Sequence, residues 1–140
     1  MSDPFDLKRF VDAQKDDYAT ALAELRAGRK RSHWMWYSFP QLDGLGFSST
    51  SRFYGIKSRD EARAYLAHAV LGPRLAECAQ ALLALRGRSA SAIFGSPDDL
   101  KLRSSMTLFA EVSAPGSPFE RVLDQYFEGQ RDPKTLALLA

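Results

Sequence analysis

The chain of 140 residues has few of the residues and motifs from which chemistry is usually inferred. Cys78 is its only cysteine, which excludes an intrachain disulfide and a thiol-based metal site. Its two histidines, His33 and His68, stand at no recognised ligand spacing, so we expect no metal. The glycine-rich nucleotide loops and the GxSxG and HExxH motifs are also absent, so the sequence predicts no common catalytic class and no cofactor.

Long apolar runs and a strong excess of one charge are missing as well. No stretch approaches the roughly 20 apolar residues that a membrane span needs, and the start "MSDPFDLKRF" lacks the apolar run of a signal peptide. A formal net charge of +2 is too weak to predict a nucleic-acid partner. We therefore expect a cytoplasmic protein without membrane contact, for which nucleic acid is a distant third among candidate partners.

Prolines and glycines, by contrast, mark helix boundaries along the whole chain. Proline suits the first turn of a helix because its missing N–H would have no partner there, and a preceding Ser or Asp can accept a bond from the free N–H groups. Five prolines follow a plausible cap residue, which is Ser, Asp or Gly: Asp3-Pro4, Gly72-Pro73, Ser96-Pro97, Ser117-Pro118 and Asp132-Pro133. Together with apolar residues spaced three and four apart, they predict helices over 4–14, 16–27, 33–39, 59–69, 73–86, 90–94, 97–111, 118–128 and 133–139.

The segment 40–57, "PQLDGLGFSSTSRFYGIK", is the exception to the helical pattern. It combines glycines with many apolar side chains, which favours an ordered loop packed on the helices, and such loops are often functional. Runs of alternating β-branched residues are absent, so we expect little or no sheet. The prediction is an all-α fold: a compact single domain over 1–140, with one long ordered loop at about 40–57.

Aromatic residues are concentrated in "SHWMWYSFPQ", residues 32–41. A short helix there, ended by Pro40, would be apolar on every side, which is typical of a helix in the core. Buried Trp and Tyr need hydrogen-bond partners, however, and they can also stack on a ligand ring. Pocket lining is therefore the second interpretation, and its candidates are His33, Trp34, Trp36, Tyr37 and Gln41.

Basic and polar residues elsewhere could meet an anion. The run "RAGRKR" either forms a solvated helix end or reaches a phosphate or carboxylate through Arg29 or Lys30. Arg52 in the loop and Lys101 could serve in the same way. Ser104 shares a helical face with Lys101, and that face is either a polar pocket wall or an ordinary solvent face.

These residues support a hypothesis of a pocket between the aromatic helix, the loop 40–57 and residues 97–109. The ligand would be an anionic, ring-containing small molecule such as a nucleotide or an ADP-ribose derivative. If the protein is an enzyme, hydrolysis of a glycosidic or phosphate link is expected, with Asp43 or His33 as the base. The alternative is a non-catalytic protein-interaction module or homodimer, in which exposed Phe or Leu side chains of the loop make the contact.

Four stretches, "LKRFVDAQ", "GRKRSHWMWYSFPQLDGLGFSSTSRFYGI", "EARAYLAHAVLGPRL" and "IFGSPDDLKLRSSMTLF", resemble a bacterial family of unknown function. The family carries the motif HWMWYxFPQ, and its members are sometimes called calpastatins. The resemblance implies an all-helical, single-domain cytosolic protein and supplies no mechanism. Inhibitory calpastatin segments are disordered and polar, whereas this composition is compact and aromatic, so we do not expect that activity.

The chain is also similar, more distantly, to small helical domains associated with NAD and ADP-ribose metabolism. In those domains a Phe-x-x-Gln-like helix and a basic, Trp-containing segment border a nucleotide pocket. The corresponding residues here would be Phe10, Gln14, Lys30 and Trp34. This similarity implies a ligand of the ADP-ribose type.

Overall fold

The computed structural model describes residues 3–140, and these fold as a single all-helical domain, as predicted. The predicted domain of 1–140 also includes Met1 and Ser2, which lie outside the described residues. Between residues 3 and 140, no helix has the length and apolar character to cross a membrane. The helices are α1 (Lys8–Gln14), α2 (Tyr18–Ala27), α3 (Met35–Ser38), α4 (Ser49–Phe53), α5 (Arg59–Ala67), α6 (Leu71–Ala84), α7 (Ala90–Phe94), α8 (Asp98–Glu111), α9 (Pro118–Phe127) and α10 (Pro133–Leu139).

Local capping explains where several helices begin. Ser58, Ser117 and Asp132 each accept a hydrogen bond from the backbone N–H three residues further on. For Ser117 and Asp132 the position before a proline predicted this. The prediction that Ser96 caps α8 is wrong. Pro97 occupies the cap position, the Ser96–Pro97 peptide is cis, and no side chain caps this helix.

Helix α6 begins at Leu71, two residues before the predicted start. Gly72 therefore lies inside the first turn and does not cap the helix. A Cβ at this position would lie 2.1 Å from the carbonyl oxygen of Leu66. Only glycine lets the start of α6 lie this close to the end of α5, which is why a residue read as a boundary belongs to the helix.

The segment 40–57 is ordered, and it contains a short helix that the sequence pattern did not predict. The Ser48 hydroxyl accepts the Ser51 N–H at 3.0 Å and so starts α4. The two ends of the segment are joined by an isolated parallel bridge, in which the Ile56 N–H donates to the Gln41 carbonyl at 2.9 Å. The segment is therefore a closed loop around α4.

Helices α6 and α8 form the centre of the domain. Helix α6 packs on α2, α5 and α9, and α8 packs on α5, α7, α9 and α10. A row of buried rings crosses this core: Phe10 lies 5.2 Å from Tyr65, and Tyr65 lies 5.2 Å from Phe109, measured between ring centroids. Aromatic pairs at these distances add stability beyond the area that they bury.

Arg9 attaches the closed loop to the rest of the domain. Its guanidinium donates to the carbonyl oxygens of Phe53 at 2.7 Å and Gly55 at 3.1 Å, on the C-terminal side of α4. It also forms an ion pair with Glu61 of α5 at 2.7 Å, and the two side chains are only 7% and 2% exposed. The Arg9 guanidinium thus joins α1, the loop and α5. A buried charge without its partner is costly, so this connection is strong.

Replacement of Arg9 should therefore destabilise the protein far more than replacement of its neighbour. Arg9→Ala leaves the Glu61 carboxylate buried without its cation, and we expect a loss of about 3–5 kcal/mol in the free energy of unfolding, measured with urea. Lys8→Ala is the matched control, because Lys8 pairs with Asp12 on the surface and should cost at most about 1 kcal/mol. Equal effects of the two changes would contradict this role of Arg9.

Candidate functional site

Trp34, which the sequence placed either in the core or in a pocket, lies in the core. Its side chain is 1% exposed and packs against Phe39 and Phe94 at centroid distances of 6.2 and 6.4 Å. The indole N–H donates to the Glu24 carboxylate at 3.0 Å. The polar atom of this ring is thus satisfied within the protein.

Glu24 organises the turn before the aromatic motif. Its carboxylate accepts bonds from the backbone N–H groups of Arg31 and Ser32, from the Ser32 hydroxyl and from Trp34. Desolvation by burial opposes the charged form, but these hydrogen bonds outweigh it and lower the pKa of Glu24 to about 2. No sequence pattern singles out Glu24, because its partners lie seven to ten residues further along the chain.

Lys30 and Lys101, two predicted anion contacts, meet at one carboxylate of the protein itself. Asp98 lies 3.0 Å from Lys30 Nζ and 3.1 Å from Lys101 Nζ. Lys101 Nζ also stands 4.0 Å above the ring of Trp36, and Lys30 Nζ donates to the Ser32 carbonyl at 2.6 Å. Asp98 therefore does more than complement the start of α8. It neutralises the two ammonium groups that were predicted to bind an anionic ligand.

Tyr37 and Ser104 are likewise engaged in contacts between helices. The Tyr37 hydroxyl donates to the Asp17 carboxylate, and its ring lies edge-on to Tyr54 at 5.5 Å. Burial and this hydrogen bond raise the pKa of Tyr37. The Ser104 hydroxyl lies 3.1 Å from the carboxylate of Asp132, the cap of α10. Both polar side chains thus contribute to packing.

The remaining motif residues lie near the surface. His33 and Arg29 are exposed, and the His33 backbone carbonyl accepts a bond from Tyr37 at 3.2 Å. Gln41 is half-buried and belongs to the bridge that closes the loop. His33, Arg29 and Gln41 do not line the clefts described next.

Asp43 and Arg52 each line a cleft, and the two clefts meet at Lys57 and Ser58. The first, which we call the α5 cleft, has a volume of about 460 Å³. Its polar wall consists of Asp43, Lys57, Ser58, Arg59, Asp60 and Arg63. The second, which we call the α1 cleft, has a volume of about 420 Å³ and includes Arg52, Phe53, Lys57 and Ser58. Two predicted residues, Asp43 before α4 and Arg52 within it, thus line neighbouring clefts.

Cations exceed carboxylates in the α5 cleft. Lys57 Nζ lies 3.5 Å from Asp43, and Arg63 lies 3.1 Å from Asp60. The guanidinium of Arg59 is 3.9 Å from Glu111, which does not line the cleft. The cleft also opens at the first turn of α5, where the helix dipole favours an anion.

Sequence reasoning missed the three cations of the α5 cleft. A signal was present, because Lys57 and Arg59 stand at the start of a helix, where positive charge opposes the helix dipole. Arg63 follows Arg59 by four residues, so both lie on one face of α5. The two basic residues at the start of α5 were therefore a signal that the sequence pattern offered.

The hydrogen bonds of Glu24 lead to a prediction about acid stability. The folded pKa of about 2 is below the ordinary value of 4.5, so this carboxylate stabilises the fold above pH 4.5 and loses its effect as the pH falls through 2. Glu24→Gln should cost about 2 kcal/mol at pH 7 and should flatten the dependence of stability on pH in that window, measured by urea unfolding. Asp16→Asn, at an exposed position, is the control. An unchanged pH profile in Glu24→Gln would contradict the prediction.

Comparison with known proteins identifies relatives but no activity. A crystal structure of the conserved hypothetical protein Rv1873 from Mycobacterium tuberculosis is similar to this chain, with 56% sequence identity, a TM-score of 0.96 and 98% of each chain covered. No curated protein matches. The model of the DUF1810 family, described as a protein of unknown function, matches residues 4–139. The chain therefore belongs to the DUF1810 family of proteins of unknown function.

Proposed function

We propose that this protein binds an anionic, ring-containing small molecule of the nucleotide or ADP-ribose class at the α5 and α1 clefts. The observation that carries the proposal is that Lys57, Arg59 and Arg63 line one cleft at the N-terminal end of α5. Guanidinium groups bind phosphate through paired, charge-assisted hydrogen bonds. The backbone N–H groups at a helix start favour the same charge.

The dimensions of the clefts fit such a ligand. Each cleft lies within the range of roughly 300–1,000 Å³ that is usual for small-molecule sites, and Lys57 and Ser58 belong to both. A ligand with a phosphate in the α5 cleft could therefore extend its ring past Lys57 into the α1 cleft. A diphosphate would contact cations on both sides, since Arg52 lines the second cleft.

Phe53 supplies an aromatic surface in the α1 cleft. Its side chain is 55% exposed, and its ring is supported by Tyr54, edge-on at a centroid distance of 4.8 Å. An exposed ring held in place by a second ring is suited to stacking on the base of a nucleotide. In this arrangement Tyr37 supports the loop from within through Tyr54, and Phe53 makes the ligand contact.

Hydrolysis would require a base in the same place, and Asp43 is the candidate. Its carboxylate is 35% exposed in the α5 cleft, and Lys57 Nζ lies 3.5 Å away. A carboxylate at this position could take a proton from a water molecule beside a bound phosphate or glycosidic link. His33 lies outside both clefts and is the weaker candidate.

A protein-interaction role is the second candidate, favoured by one observation. Phe47 is 85% exposed within the loop, and Leu138 beside that loop is 50% exposed. A large exposed apolar side chain on an ordered loop is a common anchor for a second protein or a second copy. Phe47→Ser should then convert a dimer to a monomer in light scattering, without loss of ligand binding. A wild-type monomer would exclude the homodimer.

Binding should depend on Arg63. We expect ADP-ribose or ADP to raise the melting temperature of the wild type, and Arg63→Gln to weaken the affinity about tenfold in calorimetry, because one charge-assisted contact is lost. Arg121→Gln on α9 is the matched control, since Arg121 is exposed and lies away from both clefts.

Hydrolysis of the bound ligand is tested by a separate measurement. If the ligand is hydrolysed, Asp43→Asn should abolish turnover and retain binding, observed by phosphorus NMR of the mixture. Absence of binding by AMP, ADP and ADP-ribose at millimolar concentration in the wild type would contradict the whole proposal. Equal affinities of Arg63→Gln and wild type would contradict the assignment of the site.

A further inference from the structure

A further cleft lies where the ends of α6 and α9 meet the start of α7. We call it the linker cleft, because its walls include Leu85, Arg86, Gly87 and Arg88 of the segment 85–89, together with Tyr126 and Glu128 at the end of α9. Its volume of about 600 Å³ is within the range that is usual for small-molecule sites. None of these residues lines the α5 or α1 cleft.

Each arginine of the linker is held through one nitrogen at the end of a helix. Arg86 Nη1 donates to the carbonyl oxygens of Leu83 at 2.6 Å and Leu85 at 3.0 Å, at the end of α6. Arg88 Nη1 donates to the Gly28 carbonyl at 3.0 Å, at the end of α2. Cations suit the carbonyl end of a helix, so these bonds fix the direction of both side chains.

The other edge of each guanidinium has no partner within the protein. Nε and Nη2 of Arg86 and Arg88 make no hydrogen bond with any residue from 3 to 140. Neither side chain forms a salt bridge within that range. The Nε and Nη2 edge presents two parallel N–H groups, spaced to bind a carboxylate or a phosphate. The linker cleft therefore offers two separate anchor points for anions.

The backbone between the two arginines leaves room for a ligand. Gly87 has a φ of 71°, which favours glycine, and no atom beyond its chain neighbours lies within 4 Å of the position that a Cβ would occupy. Leu85 and Tyr126 add apolar surface, and the Tyr126 hydroxyl donates to the Leu82 carbonyl at 2.5 Å, which holds the ring in place. This shape suits a short molecule that is charged at both ends.

We propose that the linker cleft is a second binding site, which takes a small molecule with two oxyanion groups, either carboxylates or phosphates. Arg86 would bind one group and Arg88 the other, each through the two N–H groups of its free edge. The part of the molecule between the two groups would lie over Gly87, against Leu85 and Tyr126.

The test compares ligands with two anionic groups and ligands with one, in calorimetry of the full chain. The dicarboxylates from succinate to adipate are measured against butyrate, and pyrophosphate is measured against inorganic phosphate. We expect the best paired ligand to bind at least about tenfold more tightly than its single-anion comparison, because a second charge-assisted contact forms. The preferred series then assigns the site to dicarboxylates or to diphosphates.

Substitution by lysine separates the paired N–H groups from the charge alone. Arg86→Lys and Arg88→Lys keep a cation at the helix end but cannot present two parallel N–H groups. Each variant should bind the preferred ligand about tenfold more weakly, close to its single-anion comparison. Arg29→Lys is the matched control, since Arg29 is exposed on the turn beside Gly28 and does not line the cleft, and it should retain wild-type affinity.

Glu128 provides a change in the opposite direction. Its carboxylate lines the same cleft and repels an anion, so Glu128→Gln should tighten binding of the preferred ligand severalfold. The proposal is overturned if no paired ligand binds the wild type more tightly than its comparison, or if both lysine variants bind with wild-type affinity. Arg63→Gln should leave this affinity unchanged, whereas an equal loss there would place the ligand in the α5 cleft and also overturn the proposal.

Discussion

The buried ion pair between Arg9 and Glu61 is the interaction on which the arrangement of this domain depends. Two charges removed from water are stabilised only when their remaining hydrogen-bonding groups are also satisfied. Arg9 meets this condition with the Phe5 carbonyl before α1 and with carbonyl oxygens of the closed loop, and Glu61 Oε1 accepts the Lys57 N–H at 2.9 Å. The pair thus fixes Lys57, the residue at which the α5 and α1 clefts meet. Stability and the geometry of the candidate site have the same origin.

Half-buried carboxylates organise the aromatic motif in a similar way. The Glu24 carboxylate accepts a hydrogen bond from the Trp34 indole N–H, and the Asp17 carboxylate accepts one from the Tyr37 hydroxyl. Each ring can therefore contribute apolar area to the core while its polar atom has a partner. This division explains why so many aromatic residues occur together without an aromatic pocket between them. Lys101 completes the pattern from outside, because its ammonium covers the half-buried ring of Trp36 and pairs with Asp98.

Local signals predicted most of the fold, but they missed one short helix and the candidate site. Ser58, Ser117 and Asp132 cap helices through bonds that span three residues, so the sequence alone locates them. Helix α4 escaped prediction because its hydroxyl-rich sequence lacks apolar periodicity and depends on the Ser48 cap. The candidate site was harder to predict. Asp43 and Lys57 are distant in the sequence, and only the bridge between the ends of the loop brings them together.

Buried hydroxyl groups differ in what they contribute to this fold. Thr107 and Ser38 are both buried hydroxyl residues, but Thr107 bonds the Arg103 carbonyl at 2.8 Å and accepts the Asp132 N–H at 2.9 Å. Thr107 therefore joins α8 to the start of α10, whereas Ser38 contributes nothing comparable to the fold. Composition cannot distinguish two such hydroxyl groups. Their partners can, because Thr107 accepts a hydrogen bond from the start of another helix and so joins two elements.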